Sequence, residues 1–89
     1  MKSVTTPQFW KAFDKLPIRI QSRARNSYLM WRENPQHPSL HYKQIHSSEP
    51  IYSVRIGLAY RALGRLEHET MIWFWIGSHE EFNSMINNL

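Results

Sequence analysis

Two arginines in the sequence are spaced so that a single turn can bring them face to face. Arg55 lies near the end of one alternating apolar stretch and Arg61 near the start of the next, with Gly57 between them. If residues 57–59 form a three-residue loop between antiparallel strands, Arg55 lies opposite Arg61. Facing like charges lower stability, so such a pair favours a bound anion or carboxylate. A two-residue Gly-Leu turn would instead place the arginines on opposite faces, and the sequence leaves both arrangements open.

A histidine follows the most apolar stretch of the chain, IWFWI, after one glycine and one serine. Ser78 and Glu81 have the spacing of an S-x-x-E capping box, which predicts a helix beginning at His79. The positive end of that helix disfavours an imidazolium in the first turn. A neutral imidazole beside a basic sheet face can accept a proton. The alternative is that His79 is only a structural residue of the turn.

The remaining polar residues match no other catalytic or metal-binding pattern. The other histidines are not spaced as metal ligands with acids or cysteines, and they are His37, His41, His46 and His68. We find no Ser-His-Asp order, no phosphate-binding glycine loop and no zinc signature. The sequence therefore predicts neither a metal nor a cofactor.

Hydrophobic spacing predicts two helices, then strands, then a short helix. Thr6-Pro7 is typical of a helix start, and the first helix is predicted over residues 7–16, up to Pro17. The second is predicted over residues 17–34, with four residues on its buried face: Ile20, Ala24, Tyr28 and Trp31. Alternation then predicts strands over residues 40–45, 51–56, 60–66 and 70–76. The last helix, residues 79–89, has an apolar face made of Phe82, Met85, Ile86 and Leu89.

This order indicates an α+β fold, with two N-terminal helices packed on one face of an antiparallel β-sheet and a short C-terminal helix. The last strand is apolar on both faces, which indicates that both are covered. Strict alternation would direct Ile72, Phe74 and Ile76 one way, and Trp73 and Trp75 the other. The helices cover one face, and either the C-terminal segment or a partner covers the second.

Length and composition indicate one small, basic, soluble domain. Residues 1–89 fit a single domain, and the absence of cysteine fits a reducing compartment. The N-terminus lacks the apolar run of a signal peptide and no run is long enough to cross a membrane, so we expect a cytoplasmic protein without a membrane partner. The net charge is +4, and all eleven Lys and Arg residues lie at or before Arg65. This charge suggests a polyanion or an acidic protein as partner, although many small domains are basic without such a role.

Three segments together resemble toxins of the RelE/ParE superfamily of bacterial type II toxin–antitoxin systems, over roughly residues 8–86. They are NPQHPSLHYKQI, YSVRIGLAYRALG and IWFWIGSHEEFNSMI. In that family two helices precede an antiparallel sheet, one hairpin carries an R-x-G-x-Y-R type motif, and the last strand ends in an I-G-H type motif. The corresponding residues here are 55–61 and 76–79. The family hairpin favours the three-residue loop, and so the facing arginines.

The resemblance implies a RelE-like toxin neutralised by a cognate antitoxin encoded next door. The RelE and HigB branches cleave messenger RNA on the ribosome without a metal, through attack of a 2′-hydroxyl on the adjacent phosphate. Carried over to this chain, Arg55 and Arg61 would stabilise phosphate charge, His79 would be the base or acid, and Lys43 and Arg65 would hold the RNA backbone. We expect the antitoxin on the arginine face and on the face of Trp73 and Trp75.

Two other functions remain open for a chain of this family. The ParE branch inhibits DNA gyrase by binding and needs no catalytic residues. An inactive member would survive only as an antitoxin-bound or structural module.

Overall fold

The computed structural model describes residues 1–88, which contain three α-helices and a five-stranded sheet. The helices are α1 (Pro7–Asp14), α2 (Ile18–Glu33) and α3 (His79–Ile86), with a 3₁₀ turn at Pro38–Leu40. The strands are β1 (Lys2–Thr5), β2 (Lys43–Gln44), β3 (Ile51–Ile56), β4 (Tyr60–Glu67) and β5 (Thr70–Ser78). The predicted α+β class is confirmed.

The sheet is mixed, because a first strand that the sequence did not reveal joins its edge. The strand order is β1-β5-β4-β3-β2, and β1 runs parallel to β5 while the other pairs are antiparallel. The segment Lys-Ser-Val-Thr has no apolar alternation and most of it is exposed. It becomes a strand because its backbone pairs with the edge of β5, where Val4 lies beside Ile72.

Both N-terminal helices begin and end near their predicted positions. Thr6 caps α1, since its Oγ1 accepts a hydrogen bond from the backbone N–H of Phe9 at 3.1 Å. Along α2 the predicted inner positions Ile20, Ala24 and Trp31 are buried. Tyr28 is 37% exposed and its ring stacks 6.3 Å from that of Trp31.

Among residues 1–88, no helix has both the length and the hydropathy to cross a bilayer.

Strand β5 is buried on both faces, as its apolar residues indicated. Met71, Trp73 and Ile76 join the core beneath α1 and α2. On the other face Phe82 of α3 packs with Ile51 and Leu63 in a second core, against which Phe74 and Trp75 lie. Of the two covers that the sequence left open, the C-terminal segment is therefore the one observed.

A β-bulge changes the predicted directions of the β5 side chains. Leu63 pairs with Trp75 and its neighbour Gly64 pairs with Trp73, so Phe74 is an extra residue in the strand. Trp73 and Trp75 consequently lie in different cores, and the prediction that they share a face is wrong. Gly64 allows the close approach, because a Cβ there would lie 2.6 Å from Met71 Sδ.

Two predicted elements are shorter than the sequence indicated. Strand β2 has two residues instead of six, because Pro38–Leu40 forms a 3₁₀ turn that buries Leu40. Helix α3 ends at Ile86, and the predicted apolar position Leu89 lies outside the described residues.

Candidate functional site

The β3–β4 hairpin places Arg55 directly opposite Arg61. Residues 57–59 form the three-residue loop, and Ile56 pairs with Tyr60. Gly57 has a φ of +61°, a backbone conformation that glycine adopts without strain. Because facing residues on paired strands project from one face, both side chains leave the sheet on the same face, where the Arg61 guanidinium approaches Phe82 of α3. This register is the one that favours a shared anion.

The arginine pair is partly buried and mutually repulsive. The pKa of Arg61 is lowered from its ordinary value, first by partial burial and then by the charge of Arg55. The Arg61 guanidinium lies 6.0 Å from the centre of the Phe82 ring. Within residues 1–88, the only Arg–carboxylate ion pairs belong to Arg65, so neither Arg55 nor Arg61 has a carboxylate within ion-pair distance.

His79 is fixed at the rim of this arginine pair by the start of α3. Ser78 Oγ accepts from the backbone N–H of Glu81 at 3.1 Å, and Glu81 Oε1 accepts from the backbone N–H of Ser78 at 3.0 Å. The predicted capping box is thus confirmed. The backbone N–H of His79 also donates to the carbonyl of Ala59 in the hairpin loop at 2.7 Å. Helix start and hairpin are therefore held together.

The half-buried His79 side chain shares an aromatic neighbour with Arg61. Its ring packs edge-on against Phe82 at 6.0 Å, the ring that the Arg61 guanidinium also approaches. Along the sheet, Arg61 lies between Arg55 on β3 and Gly77 on β5. Gly77 is two residues before His79 in the chain. The three residues predicted from the sequence are thus at one end of the sheet.

The Arg55 side chain bends from the pair towards the end of the hairpin. Its Nε donates to the carbonyl of Gly57 at 2.9 Å, and its Nη1 lies 3.2 Å from Nε2 of His41. Since an arginine only donates, His41 Nε2 is the acceptor in this contact. His41 has a φ of +47° after the 3₁₀ turn. Sequence reasoning missed this contact, because fourteen positions separate the two residues and no local pattern links them.

The two residues expected to hold RNA backbone lie farther out. Lys43 is exposed on β2, paired with Ser53. Arg65 is four residues along β4 from Arg61, roughly 13 Å away. It forms ion pairs of 2.9 Å with Glu49 and 3.4 Å with Glu67. The charge of Arg65 is therefore already balanced by two carboxylates.

A second surface, an apolar groove, opens on the opposite side of the sheet. About 490 Å³ in volume, it is bounded by β1, α1 and α2, with Trp73 among the residues that line it. Val4, Trp10 and Leu29 line it while being 51%, 44% and 53% exposed. Trp73 itself is 5% exposed and Trp75 packs against the core beneath α3. The predicted Trp73/Trp75 docking face is therefore not an exposed surface, because the bulge separates the two rings.

No cluster suited to a metal ion accompanies these surfaces in the described part of the chain. Among residues 1–88, no three His, Asp or Glu side chains are grouped as ligands. The side chains that the fold brings together at the arginine site are the guanidinium groups of Arg55 and Arg61 and the imidazole of His79.

Comparison with known proteins identifies the family. The model of the ParE-like toxin domain matches residues 18–84, so the chain belongs to this family of toxin domains. No functionally curated protein matches the sequence. The fold is similar to a chain of the RelB–RelE antitoxin–toxin complex of Methanococcus jannaschii, with a TM-score of 0.74 at 17% identity over 92% of this chain and 96% of that one.

Two further solved toxins have the same fold. The RelBE2 toxin–antitoxin complex of Mycobacterium tuberculosis aligns with a TM-score of 0.70 and 21% identity, over 88% of this chain and 96% of the matched chain. The isolated RelE toxin of E. coli aligns with a TM-score of 0.67 and 12% identity, over 99% of this chain and 98% of that chain. The predicted membership of the RelE/ParE superfamily is confirmed.

Proposed function

We propose that the chain is the toxin of a type II toxin–antitoxin system and that it cleaves messenger RNA on the ribosome. The observation that carries the proposal is the facing pair Arg55 and Arg61, which has no carboxylate of residues 1–88 within ion-pair distance, with His79 at its rim. Such a pair is suited to an anionic phosphate that gains charge during reaction.

The proposed reaction needs a base, an acid and positive charge around one phosphate. The 2′-oxygen forms a bond to phosphorus as its proton moves to a base, and the bond from phosphorus to the 5′-oxygen breaks as that oxygen gains a proton. The products are a 2′,3′-cyclic phosphate and a 5′-hydroxyl. Arg55 and Arg61 stabilise the charge on the non-bridging oxygens, and His79 transfers one of the protons.

The proposed partner is an antitoxin segment that occupies the apolar groove. Similar folds occur in complexes of a RelE toxin with a RelB antitoxin. Large apolar side chains that stay exposed around one groove are typical of a protein–protein interface. Arg25 lines the groove and the net charge is +4, so the segment is expected to combine apolar and acidic residues.

A second function, inhibition of DNA gyrase, is favoured by one observation. The matching family model is that of ParE-like toxins, and the resemblance described above implies inhibition of gyrase by binding alone for the ParE branch. In that case the arginine pair would bind an acidic surface of the target.

Induced expression without the neighbouring antitoxin gene distinguishes the two functions. The nuclease proposal predicts that protein synthesis stops and that messages acquire new 5′ ends within coding regions. Arrest of synthesis with intact messages would refute it. Intact messages together with a DNA damage response would favour the gyrase function instead.

A further inference from the structure

A second basic site lies where α2 meets the β3–β4 loop. A cleft of about 340 Å³ is lined there by Arg23, Arg55, Ser27 and Gly57, among others. Arg23 is exposed on α2, and it belongs to none of the motifs that identified the arginine pair. That Arg23 lies beside Arg55 is therefore known only from the folded structure.

Two guanidinium groups converge on the backbone of Gly57. The Arg23 side chain lies so close that a Cβ on Gly57 would be 2.8 Å from Arg23 Nη1. From the other side, Arg55 Nε donates to the Gly57 carbonyl at 2.9 Å. Arg55 Nη1 also donates to Nε2 of His41 at 3.2 Å, and Arg55 is among the residues that line the cleft.

Charge and polarity in the cleft fit an anion. In the described residues, neither Arg23 nor Arg55 lies within ion-pair distance of a carboxylate. The hydroxyl-bearing residues Ser27 and Ser39 also line the cleft. Like charges that meet without a counter-charge are stabilised by a ligand that supplies one, and the planar guanidinium matches phosphate geometry.

We propose that Arg23, next to Arg55, forms a second phosphate subsite, which binds the RNA backbone beside the phosphate held by Arg55 and Arg61. This inference rests on the proposed function, since it assigns a neighbouring nucleotide of the same substrate. Arg55 lies between the two positions, as it faces Arg61 across the hairpin while its guanidinium reaches the cleft. Arg23 acts in binding, away from the reacting atoms.

The test measures binding of a short single-stranded RNA that carries 2′-O-methyl groups, so that it cannot be cleaved. Each phosphate contact contributes about 0.7 to the slope of log affinity against log salt for a single strand. Arg23→Gln is expected to weaken binding about threefold to tenfold at low salt and to lower that slope by about 0.7. Arg23→Lys is expected to keep the slope, because it keeps the charge.

The matched control is Arg32→Gln, which removes the same charge from the same helix roughly 14 Å along its axis. Equal effects of Arg23→Gln and Arg32→Gln would overturn the subsite. So would an Arg23→Gln variant that binds RNA normally but loses affinity for the antitoxin, since the cleft would then bind a protein carboxylate. Absence of any RNA binding would also overturn it. Message cleavage in cells, measured separately, decides the proposed function.

Discussion

Arg55 and Arg61 are like charges that the fold brings together unfavourably. Partial burial and the neighbouring Arg55 both lower the pKa of Arg61, so the folded protein disfavours the charged form that a phosphate would stabilise. We therefore expect the pair to lower the stability of the free protein, and a bound anion would restore that stability.

A double-mutant cycle with Arg55→Gln and Arg61→Gln tests this repulsion. Removal of either charge should remove the repulsion that acts on the other. The free energies of unfolding should therefore reveal an unfavourable coupling of roughly 0.2–1 kcal/mol between the arginines. Urea denaturation at low and high salt measures it, and added salt should shrink the coupling. A coupling of zero at low salt would show that the two charges do not interact.

Tyr42, the residue after His41, is expected to make the stability of the protein depend on pH. Burial, and then the neighbouring Tyr52, raise the pKa of Tyr42 above its ordinary value of 10.0. The neutral phenol is thus favoured in the folded state, so its stability contribution is complete below pH 10.0 and is lost as the pH rises through the folded value. The midpoint temperature of thermal unfolding should therefore fall less steeply above pH 10.0 in Tyr42→Phe than in the wild type. Parallel declines would contradict this prediction.

Among the helices and strands, the start of α3 is the element that positions the histidine. Ser78 closes β5 and caps α3, so its hydroxyl determines where His79 emerges. Ser78→Ala should lower the free energy of unfolding by about 1 kcal/mol, because it leaves a helix amide without its acceptor. Ser84→Ala, on an exposed position of the same helix, is the matched control for the urea titration. Equal stability of the two variants would show that the cap contributes nothing.

Elements with strong local signals could be predicted, and those created by long-range pairing could not. The capping box and the Thr6-Pro7 start each depend on neighbouring residues, so the sequence contained them. Strand β1 and the bulge at Phe74 depend on backbone pairing with distant residues. The facing arginines needed the family hairpin to choose between two loops, whereas the His41 and Arg23 contacts with the hairpin had no sequence signal.

Across the molecule as a whole, two surfaces lie on opposite faces of one sheet. The Arg61 guanidinium lies on the α3 side, and the apolar groove opens between α1 and α2. All Lys and Arg residues lie at or before Arg65, while the segment after it is acidic. Because the two surfaces lie on opposite faces of the sheet, an antitoxin that fills the groove must extend around the sheet in order to block the arginine site directly.

The groove prediction is tested with Leu29→Glu, which places a charge among the apolar residues that line it. Binding to the co-expressed product of the neighbouring gene should weaken at least about tenfold, since a buried carboxylate at an interface is strongly unfavourable. Ile18→Glu is the control, because Ile18 is 79% exposed on the same helix and does not line the groove. If both variants bind the partner equally well, the antitoxin docks elsewhere.

Cleavage of a defined message on purified ribosomes decides whether Arg61 and His79 act together on an RNA phosphate. The wild type should produce fragments that end in a 2′,3′-cyclic phosphate. Arg61→Gln and His79→Gln should each slow cleavage about 10²-fold or more, while Arg32→Gln leaves the rate unchanged. Cleavage by both site variants at the wild-type rate would show that these two residues do not carry the reaction.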